Sequence, residues 1–444
     1  MRTLITPFFF FAVLLFCFSC KETEVPEPPG TPAITEAQQV KIDQLNTTVV
    51  PIVSGDPNLG HEELEVLDFL GDVRVVGLGE ATHGTREFFQ MKDRIFRYLV
   101  EVHGFQAFVF EMDVAEAMLF NDYIQGRVTP PLEVLMNDYM LFWTWNTQEV
   151  FDLLEWMKGY NDAVVDGQKL SFFGSDCQFT TYNADFLVNR LSAYDPDFAD
   201  SINARLWNYR QISNGYYQGQ AEPEDPIEAE LSEAYNLIVE KEAEIIAALS
   251  ERDYEEILLL ATHLEQTRKT MWGNTFELGV NYRDLYMADN TTWVANFLGD
   301  ASKIAVWAHN FHVSDFQQAS SQGYYLKQHW TDNYKIVGFG FTNGAFRAVQ
   351  PNVGLRDHNV AQDPPVASSN FLFHHVEADN FILKIDDLPL GSDIARFLTQ
   401  EELFFQLGAL FDGNVNNYYQ ATPLAYRYDV MIYFDETQAA LELE

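Results

Sequence analysis

The chain reads as an α/β protein: a mainly parallel β-sheet core flanked by helices, with an inserted helical subdomain. Three observations predict this. Short β-branched or aromatic runs alternate with stretches whose apolar residues recur at i, i+3 and i+4. The first strand–helix–strand run has the length of a right-handed crossover, which makes its two strands parallel. An acidic, helix-patterned block at about 183–275 then interrupts the alternation.

The N-terminus is expected to lie outside the fold. Arg2 supplies a positive charge, residues 8–18 are apolar, and Ser19-Cys20 follows. The apolar run is too short to span a bilayer as a helix. Residues 1–20 resemble a bacterial lipoprotein signal peptide, with Cys17 where a leucine is usual. The resemblance makes Cys20 the lipidated first residue of a protein anchored to the bacterial cell envelope, on its periplasmic or surface face. Residues 21–37 contain VPEPPGTP and read as a disordered, Pro-rich tether. Residues 38–444 are then the folded domain. With Cys20 acylated, Cys177 is the one thiol left, so stability rests on the core.

Composition narrows the function. Apolar residues make up 47% of the chain, enough for a sizeable core. Acidic residues number 66 against 27 basic, a net charge of -39. That charge disfavours nucleic acid as a partner, because phosphates require Lys and Arg. It equally disfavours electrostatic attachment to anionic lipid. The simplest reading of the acidity is a well-solvated surface.

The organising stretch is VVGLGEATHGT at 75–85. The run 73–76 predicts a buried strand. Gly77, Gly79 and Gly84 bracket Glu80 and His83 at a strand-to-helix turn, where ligands of parallel sheets bind. Phe88, Met91, Ile95, Leu99 and Val102 predict a helix with one buried face, ended by Gly104. The segment 107–112 predicts a second strand, carrying Glu111. A helix at 150–160 leads to a third strand at 169–176, ending in Asp176. A helix at 276–298 presents Arg283, Met287 and Asn290 on one side. Strands at 304–307, 334–341, 381–385 and 429–434 follow, and His309 and His312 come just after the first of these.

Four strand ends therefore deliver Glu80 with His83, Glu111, Asp176, and His309 with His312 to one edge. Each is weak evidence alone; their convergence marks a candidate site. Clustered carboxylates favour the cationic imidazolium, so a base at His83 requires an offsetting cation. Arg86, Lys92 and Arg283 are the candidates, with Lys92 depending on which way its helix faces. Other residues read as structural: His374 and His375 in a polar loop without carboxylate partners, His103 at a helix end, and Cys177 in the core. There is no G-x-S-x-G elbow, Walker loop or G-x-G-x-x-G turn. Serine-hydrolase, ATP and dinucleotide chemistry are thereby disfavoured, and no cofactor is expected.

Taken together, GEATHGT at 79–85, Phe110-Glu111, WMKGYN at 156–161, FGSD at 173–176, Arg283-Asp284 with Met287-Ala288 and Asn290, and AHNFH at 308–312 resemble the erythromycin esterase family. The resemblance implies metal-independent hydrolysis of an ester or macrolide lactone. It implies His83 as the base that activates water, with Glu80, Glu111, His309, His312 and Arg283 as the essential residues around it. Arg86, Lys92, Asp176, Met287 and Asn290 then line the substrate side. Lys92 stands where some members carry arginine, and a lysine lacks the bidentate fork. Two other readings stay open: a metal hydrolase using the same Glu/His cluster, and a non-catalytic surface protein that binds its ligand. The sequence leaves the oligomeric state open.

Overall fold

The computed structural model describes residues 33–211, 227–272, 276–277 and 280–443. The expected signal peptide with Cys20, most of the expected tether, and residues 212–226 of the expected insertion lie outside the described residues. Residues 35–444 form one compact unit. Nine strands make its main sheet: β1 (Val50–Pro51), β2 (Val75–Leu78), β3 (Ala107–Asp113), β4 (Ser171–Asp176), β5 (Ile304–Trp307), β6 (Tyr334–Gln350), β7 (Gly354–Val360), β8 (Asn380–Lys384) and β9 (Val430–Thr437).

The order across the sheet is β1-β8-β9-β6-β2-β5-β3-β4, with β7 added to the far half of β6. From β9 to β4 neighbouring strands run parallel, as the alternating pattern predicts. β1, β8 and β7 add antiparallel pairings. β2 and β5 lie at the centre, side by side. Their carboxyl ends meet there, and this places the turn after β2 against the turn after β5.

Both faces of the sheet are covered, which is why the central strands are buried along their whole length. The helix Arg86–His103 packs Phe88, Phe89, Met91, Ile95, Phe96 and Leu99 into one face. Each such side chain contributes about 1.5–3 kcal/mol relative to exposure. Gly104, at φ 72°, ends that helix as expected, with His103 as its last residue. The opposite face is covered mainly by the helix Tyr282–Phe297 and by the segments 310–330 and 369–398.

The helical insertion has its own core, built from residues such as Leu187, Ile202, Leu231, Ile257 and Leu260. Val114, Ala115 and Met118, from the helix after β3, complete it. The insertion thus packs against the helix that follows β3.

Three expectations are corrected here. The first predicted strand, β2, occupies 75–78 rather than 73–76, because Arg74 turns aside. Its guanidinium satisfies the Ala295 and Gly299 carbonyls at the end of the helix Tyr282–Phe297. The predicted helix at 276–298 begins only at Tyr282, where the Asn281 side chain caps it. Before it, residues 276–277 and 280–281 pair as a short antiparallel ladder. The fifth predicted strand runs on to Gln350, and its second half pairs with β7 as a hairpin.

Candidate active site

Gly79 and Gly84 let the chain thread between neighbouring elements. A Cβ on Gly79 would collide with the Asn310 carboxamide, and one on Gly84 with the Arg347 carbonyl. The turn between them is buried, fully so except at His83, which stays 6% exposed. It holds Glu80 so that one carboxylate oxygen meets His83 Nδ1 at 2.7 Å. The other oxygen receives the Trp307 indole N–H at 2.9 Å and the Lys92 ammonium.

Lys92 is therefore beneath the site. It is fully buried, and Glu80 is its hydrogen-bond partner. Its Nζ lies 4.1 Å from the centroid of the Trp307 ring, with Phe89 and Phe339 at 5.7 and 5.8 Å. Burial pushes the Lys92 ammonium down to about 8, against the pull of Glu80. Burial alone would raise the Glu80 carboxyl, but Lys92 and His83 outweigh it and hold it below the usual range.

Glu111 is the second anchor. The β3–β4 register shifts between Phe110 and Asp113, a bulge-like irregularity of the kind that re-aims side chains near active sites. One Glu111 oxygen accepts from Arg283 at 2.7 Å and lies 3.2 Å from His312 Nε2. The other accepts the His309 backbone N–H at 2.8 Å. Burial opposes its ionisation, but His312, Arg283 and His83 keep the carboxyl far below its ordinary value. Arg283 also grips Asp176 with two bonds of 2.9 and 2.8 Å.

The two later histidines differ sharply. His309 Nε2 donates to the Leu407 carbonyl at 3.0 Å, and Nδ1 accepts the Phe311 N–H at 3.1 Å. Both nitrogens are thus occupied by a neutral ring that caps a short helix. Burial first, then the neighbouring His83 imidazole, pushes His309 down to about 3. His312 instead places Nδ1 2.7 Å from Asp284. Burial would lower it, but Asp284 and Glu111 outweigh burial and Arg283 and raise it.

Glu80, His83, Lys92, Glu111, Asp176, Arg283, His309 and His312 are thus brought together. Arg86 is not: it turns to Glu149 and Gln438. Met287 is buried in its helix, and Asn290 bonds the Ser175 carbonyl and the Gln266 amide, bracing β4. His374 is corrected too. It pairs with Asp435 at 2.6 Å, at the end of the helix Ser369–His374. Cys177 is buried, and burial pushes its thiol well above its ordinary value.

Sequence reasoning missed four contributors. Asp284 stands beside Arg283 in the motif but gives no sign of pairing with His312. Trp307 ends β5, where nothing marks its indole as a donor. Phe142 sets its ring 5.7 Å from that of His83. The segment around Gly408 closes on His83 from 325 residues downstream, and no local pattern announces it.

A family model described as erythromycin esterase matches residues 100–437. The chain belongs to the erythromycin esterase family. The matched region holds Glu111, Asp176, Arg283, His309 and His312, and starts beyond Glu80 and His83. Erythromycin esterase type II of Escherichia coli is 26% identical over 336 residues, covering 69% of this chain and 78% of that one. Two solved structures share the fold. A succinoglycan biosynthesis protein has a TM-score of 0.77 at 21% identity, covering 93% of this chain and 100% of its own. A mutant erythromycin esterase in its open conformation has a TM-score of 0.63 at 18% identity, covering 87% and 97%.

Within this erythromycin esterase fold, Glu80 is paired with Lys92, Glu111 and Asp176 with Arg283, and Asp284 with His312. Among the described residues, no three His, Cys, Asp or Glu side chains converge in a way that would hold a metal ion. The cluster is an ion-pair and hydrogen-bond network around the His83 imidazole.

Proposed function

We propose that this protein hydrolyses a carboxylic ester or lactone with a water molecule that His83 deprotonates. One observation carries the reading. His83 Nδ1 is fixed on Glu80, whereas Nε2 has no hydrogen-bond partner among the described residues. The Glu111, His309 and His312 side chains around it are bound to protein groups. Nε2 is the basic atom left for a water.

In this mechanism the water oxygen bonds to the substrate carbonyl carbon while Nε2 takes a proton. The tetrahedral adduct then collapses, the C–O bond to the alcohol breaks, and Nε2 returns the proton to the departing alkoxide. The products are a carboxylic acid and an alcohol, or one hydroxy acid from a lactone. General-base catalysis of this kind contributes about 10²- to 10⁴-fold. Glu80 keeps the Nδ1–H tautomer and stabilises the imidazolium as it forms. Lys92 and Trp307 hold Glu80 in place. Arg283 and His312 supply positive charge near the developing oxyanion. The net charge of -39 favours neutral or cationic substrates over anionic ones.

A macrolide lactone lies within this class, and the name of the Escherichia coli relative supports testing it first. The protein is incubated with macrolides and simple esters in heavy-oxygen water, and the products are weighed by mass spectrometry. Incorporation of one label into a ring-opened or acid product is expected. It should disappear in His83→Ala, with the melting temperature nearly unchanged. Absence of a labelled product across both sets refutes the proposal. The N-terminal reading is proposed alongside it. A lipid at Cys20 predicts that Cys20→Ser releases the protein from the envelope fraction, and retention of that variant would refute the anchor.

A further inference from the structure

Gly408 faces His83 Nε2. A Cβ built on it would lie 3.7 Å from His83 Nε2 and 3.8 Å from His83 Cδ2. Its position is fixed by its neighbours. Leu407 donates its N–H to the Ala81 carbonyl at 2.8 Å, within the turn that carries Glu80 and His83. The Leu407 carbonyl accepts from His309 Nε2, and the Ala409 carbonyl accepts the Val349 N–H at 2.9 Å. The segment is pinned on both sides of the glycine.

The usual structural reasons for a glycine are missing here. Its φ lies outside the left-handed region. The added Cβ would touch only the imidazole, at ordinary van der Waals distance. An alanine would therefore fit the backbone and the packing. It would occupy the space beside Nε2, where a hydrogen-bonded water about 2.9 Å away and the carbonyl carbon it attacks both need room. The Gly408 N–H also has no partner among the described residues.

We infer that Gly408 is a specificity-determining residue: the missing side chain is the opening through which the acyl carbon reaches the water on His83. This rests on the hydrolase reading above. Gly408 forms one wall of the acyl subsite beside Nε2, and a side chain there would crowd substrates branched next to the carbonyl more than straight ones.

Gly408→Ala tests this with two readouts. The first is kcat/KM over esters of one alcohol with straight and α-branched acyl chains. A loss of about 10- to 100-fold is expected, the scale of an ångström-sized misplacement, and it should be larger for the branched series. The second reports on access to His83 without any ester. Diethyl pyrocarbonate acylates open imidazole nitrogens, and peptide mass spectrometry follows the His83 site in the intact protein. Labelling at His83 should slow several-fold in Gly408→Ala, while the exposed His329, outside the site, reacts as before.

Unchanged His83 labelling overturns the inference, whatever the ester rates do. So does loss of the folded state, since the backbone and packing argument requires alanine to be tolerated. Slowed labelling in a protein that cleaves no ester refutes the hydrolase reading and the specificity role with it, and leaves Gly408 only as the point of access to His83.

Discussion

Lys92→Met removes one half of an ion pair whose two side chains are wholly buried. Breaking such a pair costs about 3–5 kcal/mol, mostly through the charge left behind. Glu80 keeps its bonds from Trp307 and His83, so the lower end, about 3 kcal/mol, is expected. The cation–π contact with Trp307 is also lost, but methionine returns part of it through sulfur–aromatic contact. Glu80→Gln added to Lys92→Met leaves no uncompensated charge. The double variant should therefore recover most of the stability, giving a coupling energy of about 2 kcal/mol. Activity should behave differently. Lys92→Met should lower kcat by roughly 100-fold, about 2.7 kcal/mol at the transition state, and the double variant should not regain it. A neutral Gln can accept from Nδ1 but cannot stabilise an imidazolium. Urea unfolding followed by tryptophan fluorescence gives the stabilities, and steady-state hydrolysis gives the rates. Lys92→Met within about 0.5 kcal/mol of the parent, a change typical of ordinary surface substitutions, would refute the account. So would a double variant no more stable than the sum of its singles. With Lys92 pushed down to about 8, kcat should also fall as pH rises through that value. Lys92→Arg should lose this limb, because a guanidinium does not titrate there.

Three further outcomes are expected. Glu116 is buried, one of its oxygens has no partner, and burial followed by Asp113 raises its carboxyl well above the ordinary value. A folded-state value above the unfolded one gives stability that is complete below the unfolded value of about 4.3 and is lost as pH rises. Glu116→Gln should therefore gain stability over the parent between pH 5 and 8, and equal pH profiles in thermal unfolding would refute this. The His309 ring should stay neutral in NMR titration to about pH 3, and His309→Ala should cost about 1 kcal/mol through its cap. Protonation of His309 near pH 6 would contradict the assignment of both its nitrogens. Prolonged treatment with EDTA should leave ester hydrolysis unchanged, and activity restored only by added zinc or manganese would return the metal-dependent reading.

Much of the architecture was legible in the residue pattern. The period of the apolar positions gives the helix Arg86–His103 and its buried face through Leu99, but not at Val102, which the last turn before Gly104 leaves exposed. The β-branched and aromatic runs give the parallel strands, and the rule that ligands gather at their carboxyl ends selects Glu80, His83, Glu111, Asp176, His309 and His312. Boundaries were less legible where side chains act at long range, as at Arg74, or where a cap sets the start, as at Asn281.

The sequence by itself determined the class of the fold, the edge that carries the candidate site and the types of residue assembled there. Only the tertiary structure decided their pairings. It turned Lys92 inward beneath Glu80 and Arg86 outward to Glu149. It joined His312 to Asp284, occupied both nitrogens of His309, and brought Gly408 to the open edge of His83. The physical reason is that periodicity is a local property, fixing which face of an element a residue occupies. Hydrogen-bond partners and clearances depend instead on contacts such as that of Glu111 with the His309 N–H, 198 residues apart, which exist only once the sheet and its covering layers have packed.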